Sequence, residues 1–410
     1  MATDPAHLIG SARFDPWSPA FVAHPYEVYE DLRTREPMAW FAPTNQWLVS
    51  RHADVSALLR DRRLGRSYLH VGSHEDFGHP PDPPGLEPFW RLIRDGMLDR
   101  EPPDHTRLRR LVSKAFTPRR VAELRPAIQQ IADDVVDDLL DAGGGDLIAT
   151  VAEPLPVTVI AELLGIPDSD RHLLRPWSAD ICGMYELNPS EQTANTAVRA
   201  AVEFSDYLRD LARTRRQHPT DDLITALVQV QDDGERLTEN ELIGTCVLLL
   251  NAGHEATVNV TGNGWWALLR NPDQLAALRA DPGLLSTAVE ELMRYDTPLQ
   301  MFERWVLEDM TWGGVDLPQG TELALLFGSA NHDPTVFTDP ERLDITRTDN
   351  PHLSFGAGIH FCLGAPLARL ELEISFGTLL RRVPNLSLTT DPTWKPGFII
   401  RGLESLPVTV

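Results

Sequence analysis

One cysteine of this 410-residue sequence stands in a setting suited to chemistry. Cys362 closes the run Phe355-Gly356-Ala357-Gly358-Ile359-His360-Phe361-Cys362 and is followed by Leu363-Gly364-Ala365-Pro366. Gly356 and Gly358 open backbone conformations that are closed to other residues. Beyond Gly364 the pattern turns helical, with Pro366 in the first turn, where its missing N–H costs little. Cys362 therefore falls at a helix N-terminus beside free N–H groups, which lower a thiol pKa and hold a thiolate. The chemistry such a residue offers is that of a metal ligand or a nucleophile. The other two cysteines lack this setting. Cys246 lies in the apolar run Cys246-Val247-Leu248-Leu249-Leu250, and Cys182 lies among Ile181 and Met184, so both read as inert and buried. Other chemical signatures fail on spacing. His254-Glu255 and His74-Glu75 begin like a zinc-hydrolase motif, but Val258 and Gly78 stand where the second histidine must be. Gly356-Ala357-Gly358 begins like a dinucleotide fingerprint, but Phe361 replaces the third glycine and no strand–helix–strand unit surrounds it. No Gly-x-Ser-x-Gly elbow occurs.

The elements that must position Cys362 are mostly helices. Amphipathic spacing predicts helices over Pro25–Arg35, Ala53–Arg60, Asp104–Phe116, Arg119–Ala142, Thr193–Arg216 and Leu284–Tyr295. A long helix over Glu239–Arg270 is apolar on most faces near its middle, which predicts a helix buried through the core. Strand-like pieces are short: Met38–Phe41, Gln46–Ser50, Thr321–Phe327, Leu386–Leu388, and parts of Phe398–Val410. A long irregular segment is expected from Ser67 to Pro103, with its prolines densest at Pro80 to Pro88. The expected fold class is mainly α with small β-sheets at one side. No low-complexity linker and no repeat divides the chain, so 1–410 is expected to form a single domain.

Composition narrows the partners. A formal net charge of −23 makes nucleic acid and an anionic membrane surface unlikely global partners. Three cysteines cannot build a disulfide framework, which points to a reducing compartment. The stretch Met1 to Asp15 is polar and shows no apolar signal-peptide core. The longest apolar run, Cys246 to Ala252, is far short of the roughly 20 residues that span a bilayer. A cytoplasmic protein is the expectation.

The segment from Phe355 to Gly364 resembles the haem-binding loop of the cytochrome P450 family, Phe-Gly-x-Gly-x-His/Arg-x-Cys-x-Gly, at every fixed position. Further motifs of that family follow in order over nearly the whole chain. The resemblance implies the P450 fold: one α-rich triangular domain with haem b between the long helix and the cysteine loop. It makes Cys362 the axial ligand of haem iron, a thiolate that favours O–O cleavage. Phe355 then packs beside the porphyrin, with Gly356 and Gly364 shaping the loop. His105 and Arg109, four apart on one helix, with Arg304 and His360, are implied to bind the two haem propionates. Glu291 and Arg294 match the family's Glu-x-x-Arg, and Arg342 in Pro340-Glu341-Arg342-Leu343 is implied to complete a structural triad.

Ala252-Gly253-His254-Glu255-Ala256-Thr257 resembles the oxygen-activation segment. There Ala252 and Gly253 leave room over the haem, and Glu255 relays protons. The departure is Ala256, where the family usually has threonine. A methyl group cannot donate a hydrogen bond. Three outcomes are open: a substrate hydroxyl with ordered water substitutes, Thr257 reaches in through a helix distortion, or coupling is poor. The first is the favoured expectation.

The substrate wall is implied around Arg91 to Leu98, Ile181 to Tyr185, Leu248 to Ala256, Leu299 to Phe302 and Phe398 to Ile399. Leu248, Leu299, Met301, Phe302, Phe398 and Ile399 make it apolar, and Gln300 and Glu303 could add polarity. The implied reaction is hydroxylation or epoxidation of an apolar small molecule, with a secondary metabolite as the expected substrate class. O2 is co-substrate, and NAD(P)H electrons arrive indirectly through a ferredoxin and its reductase. Arg107, Arg110 and Lys114 form a basic face that the resemblance places at the ferredoxin-docking surface. Two other readings stay open: a peroxide-driven or rearranging haem-thiolate enzyme, and a non-catalytic haem sensor or ligand-binding scaffold.

Overall fold

Thr238 starts the element on which the rest is built. Its Oγ1 accepts from the Glu241 N–H at 3.3 Å, while the Glu241 carboxylate accepts from the Thr238 N–H at 2.8 Å. This reciprocal cap satisfies two orphan donors at once and launches the helix Glu239–Arg270. Pro272 ends it, because the residue before a proline is pushed out of the helical region. The helix is buried over most of its length, as its all-round apolar character predicts. The structure is a computed structural model that describes residues 8–9 and 12–410, with side chains from residue 14 onward. Positions 1–7, 10 and 11 of the polar stretch Met1–Asp15 lie outside the described residues.

The main core gathers helices around this long one, including Pro154–Leu164, Leu285–Tyr295 and Ala365–Arg382. Beside it stands a five-stranded sheet in the order Met38–Phe41, Gln46–Val49, Glu322–Leu326, Met301–Val306, Leu64–Gly65. All its pairings are antiparallel except that of Gln46–Val49 with Glu322–Leu326. Phe302 and Arg304 alternate onto one face of their strand, opposite Leu325 and Leu323. A second core under the sheet joins Phe14, Phe21, Phe41, Met301, Phe398 and Ile399. Among the described residues no helix is long and apolar enough to cross a membrane.

Two element boundaries differ from the sequence expectation, each for a local reason. Arg119–Ala142 is two helices, Pro118–Glu123 and Arg125–Asp141. Pro126 lacks the N–H that a continuous helix would need and fits only in a first turn. The irregular segment from Ser67 to Pro103 contains the helix Glu87–Asp95, which buries Phe89 and Leu92. There Pro88 sits in the opening turn, so the proline cluster introduces a helix instead of excluding one. The helix Pro154–Leu164 escaped periodicity because Leu155, Val157, Val159, Ile160, Leu163 and Leu164 bury it from every side.

Candidate functional site

The cysteine loop is set by its backbone. Gly356 and Gly358 have φ of +68° and +70°, the left-handed region that favours glycine. A Cβ at Gly358 would also collide with the Leu59 carbonyl. Cys362 N–H donates to the Phe355 carbonyl at 3.0 Å and closes the loop. Gly364 then caps the helix Ala365–Arg382. The free thiol departs from the sequence expectation. Burial pushes its pKa up and outweighs the Gly364 and Ala365 N–H groups and the cations Arg109 and Arg369, all of which pull it down. These donors and charges make a holder for a thiolate, and a bound metal supplies the remaining charge that keeps a ligating thiol deprotonated. Arg109 also fastens the loop, donating from Nη2 to the Phe361 carbonyl at 2.6 Å. Phe355 lies under the Arg369 guanidinium, 4.5 Å from ring centre to charge.

The expected propionate ligands come together. The His105 and His360 rings are 4.4 Å apart, and His360 Nε2 lies 3.1 Å from Glu101 Oε1. Burial, then the charges of His360 and Arg109, push His105 down to about 4. Burial also lowers His360. Neutral rings such as these still offer an N–H to an anion. Arg304 is buried, and burial followed by the nearby Arg66 lowers it to about 9. Among the described residues its side chain donates to a carbonyl, Glu303 O at 2.9 Å, and to no carboxylate. A buried guanidinium without a carboxylate hydrogen bond is suited to an incoming anion. Arg66 was not foreseen. It pairs with Asp99 and Glu303 at 3.2 Å each, and it and Arg304 lie 4.2 and 5.2 Å from the Phe302 ring.

On the long helix, Ala252 and Ala256 are exposed and Leu248 is half-buried, while Leu249, Leu250, Asn251, His254 and Thr257 are buried. Spaced by four, the three open residues form one stripe of small or apolar side chains. Near it, Leu248 lines a small cavity with Leu92, Ile93, Gly96, Asp99 and Tyr185. Asp99 thereby links the cavity to Arg66. Two expectations fail here. Gly253 makes room for the neighbouring helix, since a Cβ there would sit 2.8 Å from Ile160 Cδ1. Thr257 lies about 100° round the helix from Ala256; it is buried, and the helix is unbroken there. Glu255 is mostly buried and meets Lys395 Nζ at 3.3 Å. Lys395 was missed, although it is one of only two lysines in the chain.

Three further expectations are corrected. The side chain that joins Glu291 and Arg294 is Arg347, not Arg342. Arg347 Nε donates to Glu291 Oε2 at 3.1 Å, while Arg342 offers only its carbonyl, 3.4 Å from Arg294 Nη2, and its side chain is exposed. The turn at Asp344–Arg347 carries the chain back so that the later arginine arrives. The basic face is also neutralised: Arg107 pairs with Glu241, Arg110 with Asp232 and Glu235, and Lys114 with Asp232. Last, Met301, Phe398 and Ile399 pack in the second core, and Phe302 lies against the two arginines, while Leu248 lines the cavity. Leu299 bridges Ile400 at the edge between them.

Glu290 ties the loop to the helix Leu285–Tyr295. It accepts from Arg369 at 2.6 and 2.8 Å and lies 3.1 Å from His352 Nε2. Burial raises its pKa, but Arg369 and His352 outweigh that and hold it at about 2. Its unfolded value is about 4.3, so the stabilisation is full above that pH and is lost as pH falls toward 2. Glu290→Gln is therefore expected to lower the urea midpoint at pH 7, with the gap to the wild type narrowing below about pH 4. A gap independent of pH would disprove the charged pairing.

The chemistry of this donor set fits a haem. A buried thiol meets backbone donors and cations, a buried arginine and two neutral histidines await anions, and a small-residue stripe leaves the long helix open. The comparisons agree. The sequence model of the cytochrome P450 family matches residues 187–396. Polyketide biosynthesis cytochrome P450 PksS of Bacillus subtilis is 40% identical over 407 residues, covering 97% of this chain and 98% of that one. The 6-deoxyerythronolide B hydroxylase of Saccharopolyspora erythraea is 40% identical over 395 residues, covering 93% and 95%. The solved structure of P450BioI with hexadec-9Z-enoic acid-ligated acyl carrier protein matches with a TM-score of 0.89 at 38% identity, covering 96% of this chain and all of that one.

Proposed function

The chain belongs to the cytochrome P450 family, and from that premise we propose how its residues divide the work and what they work on. It is a haem b monooxygenase that takes O2 as co-substrate and NAD(P)H electrons through redox partners. Bound haem, with its sulfur ligand, supplies the redox chemistry that splits dioxygen and delivers one oxygen atom to a substrate. Cys362 holds the iron, in a loop fixed by Gly356, Gly358, Arg109 and Phe355. His105, Arg109, Arg304 and His360 bind the propionates. Glu255 carries protons inward, and the half-exposed Lys395 beside it connects that carboxylate to solvent. Ala252 and Ala256 leave space beside the helix.

The substrate is an apolar secondary metabolite of polyketide type, hydroxylated or epoxidised in the cytoplasm with a ferredoxin and its reductase as electron donors. Relatives named as a polyketide-biosynthesis P450 and a 6-deoxyerythronolide B hydroxylase support that class. Leu248, which lines the cavity with Leu92, Ile93 and Tyr185, supports an apolar contact surface. Ala256 carries the finer reading. The open stripe has no hydroxyl of its own, and Thr257 is turned into the core, so a hydroxyl on the substrate must order the water that passes the proton. Because Arg107, Arg110 and Lys114 are already paired, they add little steering for an acidic ferredoxin.

The test is Ala256→Thr in the haem-bound enzyme, with product and hydrogen peroxide counted per NAD(P)H consumed. The substitution is expected to shift the product-to-peroxide ratio by about threefold or more while leaving the substrate Kd within about twofold, since one neutral hydrogen bond is worth about 1 kcal/mol. A change in Kd alone, with peroxide leakage unaltered, would sink the substrate-hydroxyl reading. Faster and better-coupled turnover with hydrogen peroxide than with reduced ferredoxin would favour a peroxide-driven enzyme.

A further inference from the structure

Arg66 follows the short strand Leu64–Gly65, which pairs antiparallel with Met301–Val306 and sets Leu64 opposite Val306 and Gly65 opposite Trp305. One residue further in that register, Arg66 comes opposite Arg304. The two guanidinium groups converge accordingly. Arg304 Nη1 donates to the Glu303 carbonyl at 2.9 Å, Arg66 Nη1 donates to the same oxygen at 3.2 Å, and both groups lie against the Phe302 ring. Like charges directly opposite on neighbouring strands are destabilising, and more so away from water. Arg304 is buried, and the Arg66 side chain keeps only 13% of its surface exposed. After burial, the charge of Arg66 is the main cause that lowers the pKa of Arg304.

The carboxylates nearby do not use up these two cations. Arg66 donates to Glu303 Oε2 and to Asp99 Oδ1 at 3.2 Å each, where a well-made charged hydrogen bond measures about 2.7–2.9 Å. Arg66 Nε is buried and has no partner among the described residues. Burial, then Glu303, pushes Glu322 up, which favours its neutral form. Glu101 is engaged elsewhere: its Oε1 accepts from the Arg66 main-chain N–H at 2.6 Å and faces His360 Nε2 at 3.1 Å. Arg66 is thus joined to two of the four propionate residues, to Arg304 through the Glu303 carbonyl and to His360 through Glu101. A guanidinium carries five N–H donors in a planar fork that matches a carboxylate. Two such forks, converging away from water with donors to spare, make a site for one further anion.

We propose that Arg66 binds one haem propionate together with Arg304, as a fifth cofactor-holding side chain beside His105, Arg109, Arg304 and His360. The propionate supplies the counter-charge that the cross-strand pair lacks. Asp99, at the other end of Arg66, lines the cavity beside Leu248, so the same guanidinium ties the propionate to the cavity wall. The identity of the anion rests on the haem reading above; the convergence of the two arginines does not.

The test follows transfer of the porphyrin from the ferric protein to excess apomyoglobin. Wild type, Arg66→Gln and Arg66→Lys are each loaded with haem b or with its dimethyl ester. The ester keeps the iron and the porphyrin and removes the propionate charges. Arg66→Gln is expected to lose haem b about tenfold faster than wild type, the factor that one charge-assisted hydrogen bond provides, and to lose the ester at a rate within about twofold of wild type. Arg66→Lys keeps the charge facing Asp99 and Glu303 but not the fork. Its loss of haem b should quicken about threefold and its loss of the ester should not change, which carries the comparison if the Arg66→Gln protein does not fold. Equal acceleration with both porphyrins would mean that Arg66 only neutralises Asp99 and Glu303, and would overturn the proposal. Unchanged loss of haem b in the variants would overturn it too. Both of those outcomes leave the haem reading standing. Failure of the wild type to take up haem would sink that reading and the proposal with it.

Discussion

Replacing Cys362 by serine is expected to remove the long-wavelength band that thiolate ligation gives the reduced, CO-bound protein, and to bring turnover to background. Serine is nearly isosteric, and the loop does not depend on the sulfur for its shape. That shape comes from the left-handed Gly356 and Gly358, the Cys362 N–H to Phe355 bond and the Arg109 strap, all of which serine preserves. What changes is the donor. A serine hydroxyl stays protonated where a thiol gives up its proton, and it is a harder, weaker ligand for iron. The loss in turnover should exceed roughly a thousandfold, or about 4 kcal/mol of barrier. Cys246→Ala is the control. Burial, then the charge of Asp222, pushes that thiol up to about 12, and it lies in the main core. It should therefore alter stability and leave the spectrum alone. If the thiolate band survived in the serine variant, another residue would hold the iron and the site described here would be wrong.

What could be read in advance depended on how local the cause was. The cysteine loop was legible because its glycines, its histidine and its cysteine act within ten residues, through backbone geometry that composition dictates. The long helix was legible to its ends because its cap and its terminating proline are local too. Side-chain partners were not. Arg107, Arg110 and Lys114 looked like a free basic face because the acids that neutralise them, Asp232, Glu235 and Glu241, lie more than a hundred residues along the chain. Arg347 was hidden behind Arg342 for a different reason. Both fall in one short segment, and only the turn at Asp344 decides which side chain faces inward.

Helix phase was a middle case. The spacing of Leu248, Ala252 and Ala256 already contains the open stripe, and it puts Gly253 and Thr257 on other faces. The resemblance of the segment to a family motif drew attention to consecutive residues, when the geometry selects every fourth. Lys395 left a compositional trace. In a chain whose cations are nearly all arginine, one of the two lysines stands against Glu255. A lysine there differs physically from an arginine, since its ammonium is a compact, strongly hydrated point charge on a flexible stem. Its partly exposed charge sits 3.3 Å from the mostly buried Glu255 carboxylate, at the edge of solvent.

Glu291→Ala is expected to be the most destabilising single change in the molecule outside the apolar cores. Neither Glu291 nor Arg294 has any exposed surface. The carboxylate is saturated: Arg294 donates to it from Nε and Nη2 at 2.8 Å each, Asp344 N–H at 2.9 Å, Arg347 Nε at 3.1 Å and Asn350 Nδ2 at 3.3 Å. Arg294 in turn donates to the Asn331 and Pro340 carbonyls at 2.9 Å each. Alanine at 291 leaves that guanidinium charged and buried without its counter-ion, a loss of about 3–5 kcal/mol. Against a whole-domain stability of about 5–15 kcal/mol, this leaves little margin. The damage reaches the haem loop by a short route. Asn331 Nδ2 donates to Ser354 Oγ at 2.9 Å, Leu353 N–H donates to Asn331 Oδ1 at 2.7 Å, and Ser354 Oγ donates to the Met293 carbonyl at 2.8 Å. Ser354 precedes Phe355 and Gly356, so loosening this corner should release haem before the helices melt. Arg347→Ala should cost about 1–3 kcal/mol, the value of a lost charge-assisted bond at a partly buried site, and the exposed Arg342→Ala no more than about 0.5 kcal/mol. Urea titrations of the three haem-bound variants, followed by Soret absorbance and by far-UV circular dichroism, should give that order. An Arg342→Ala variant as fragile as Arg347→Ala would return the third arm of the network to residue 342.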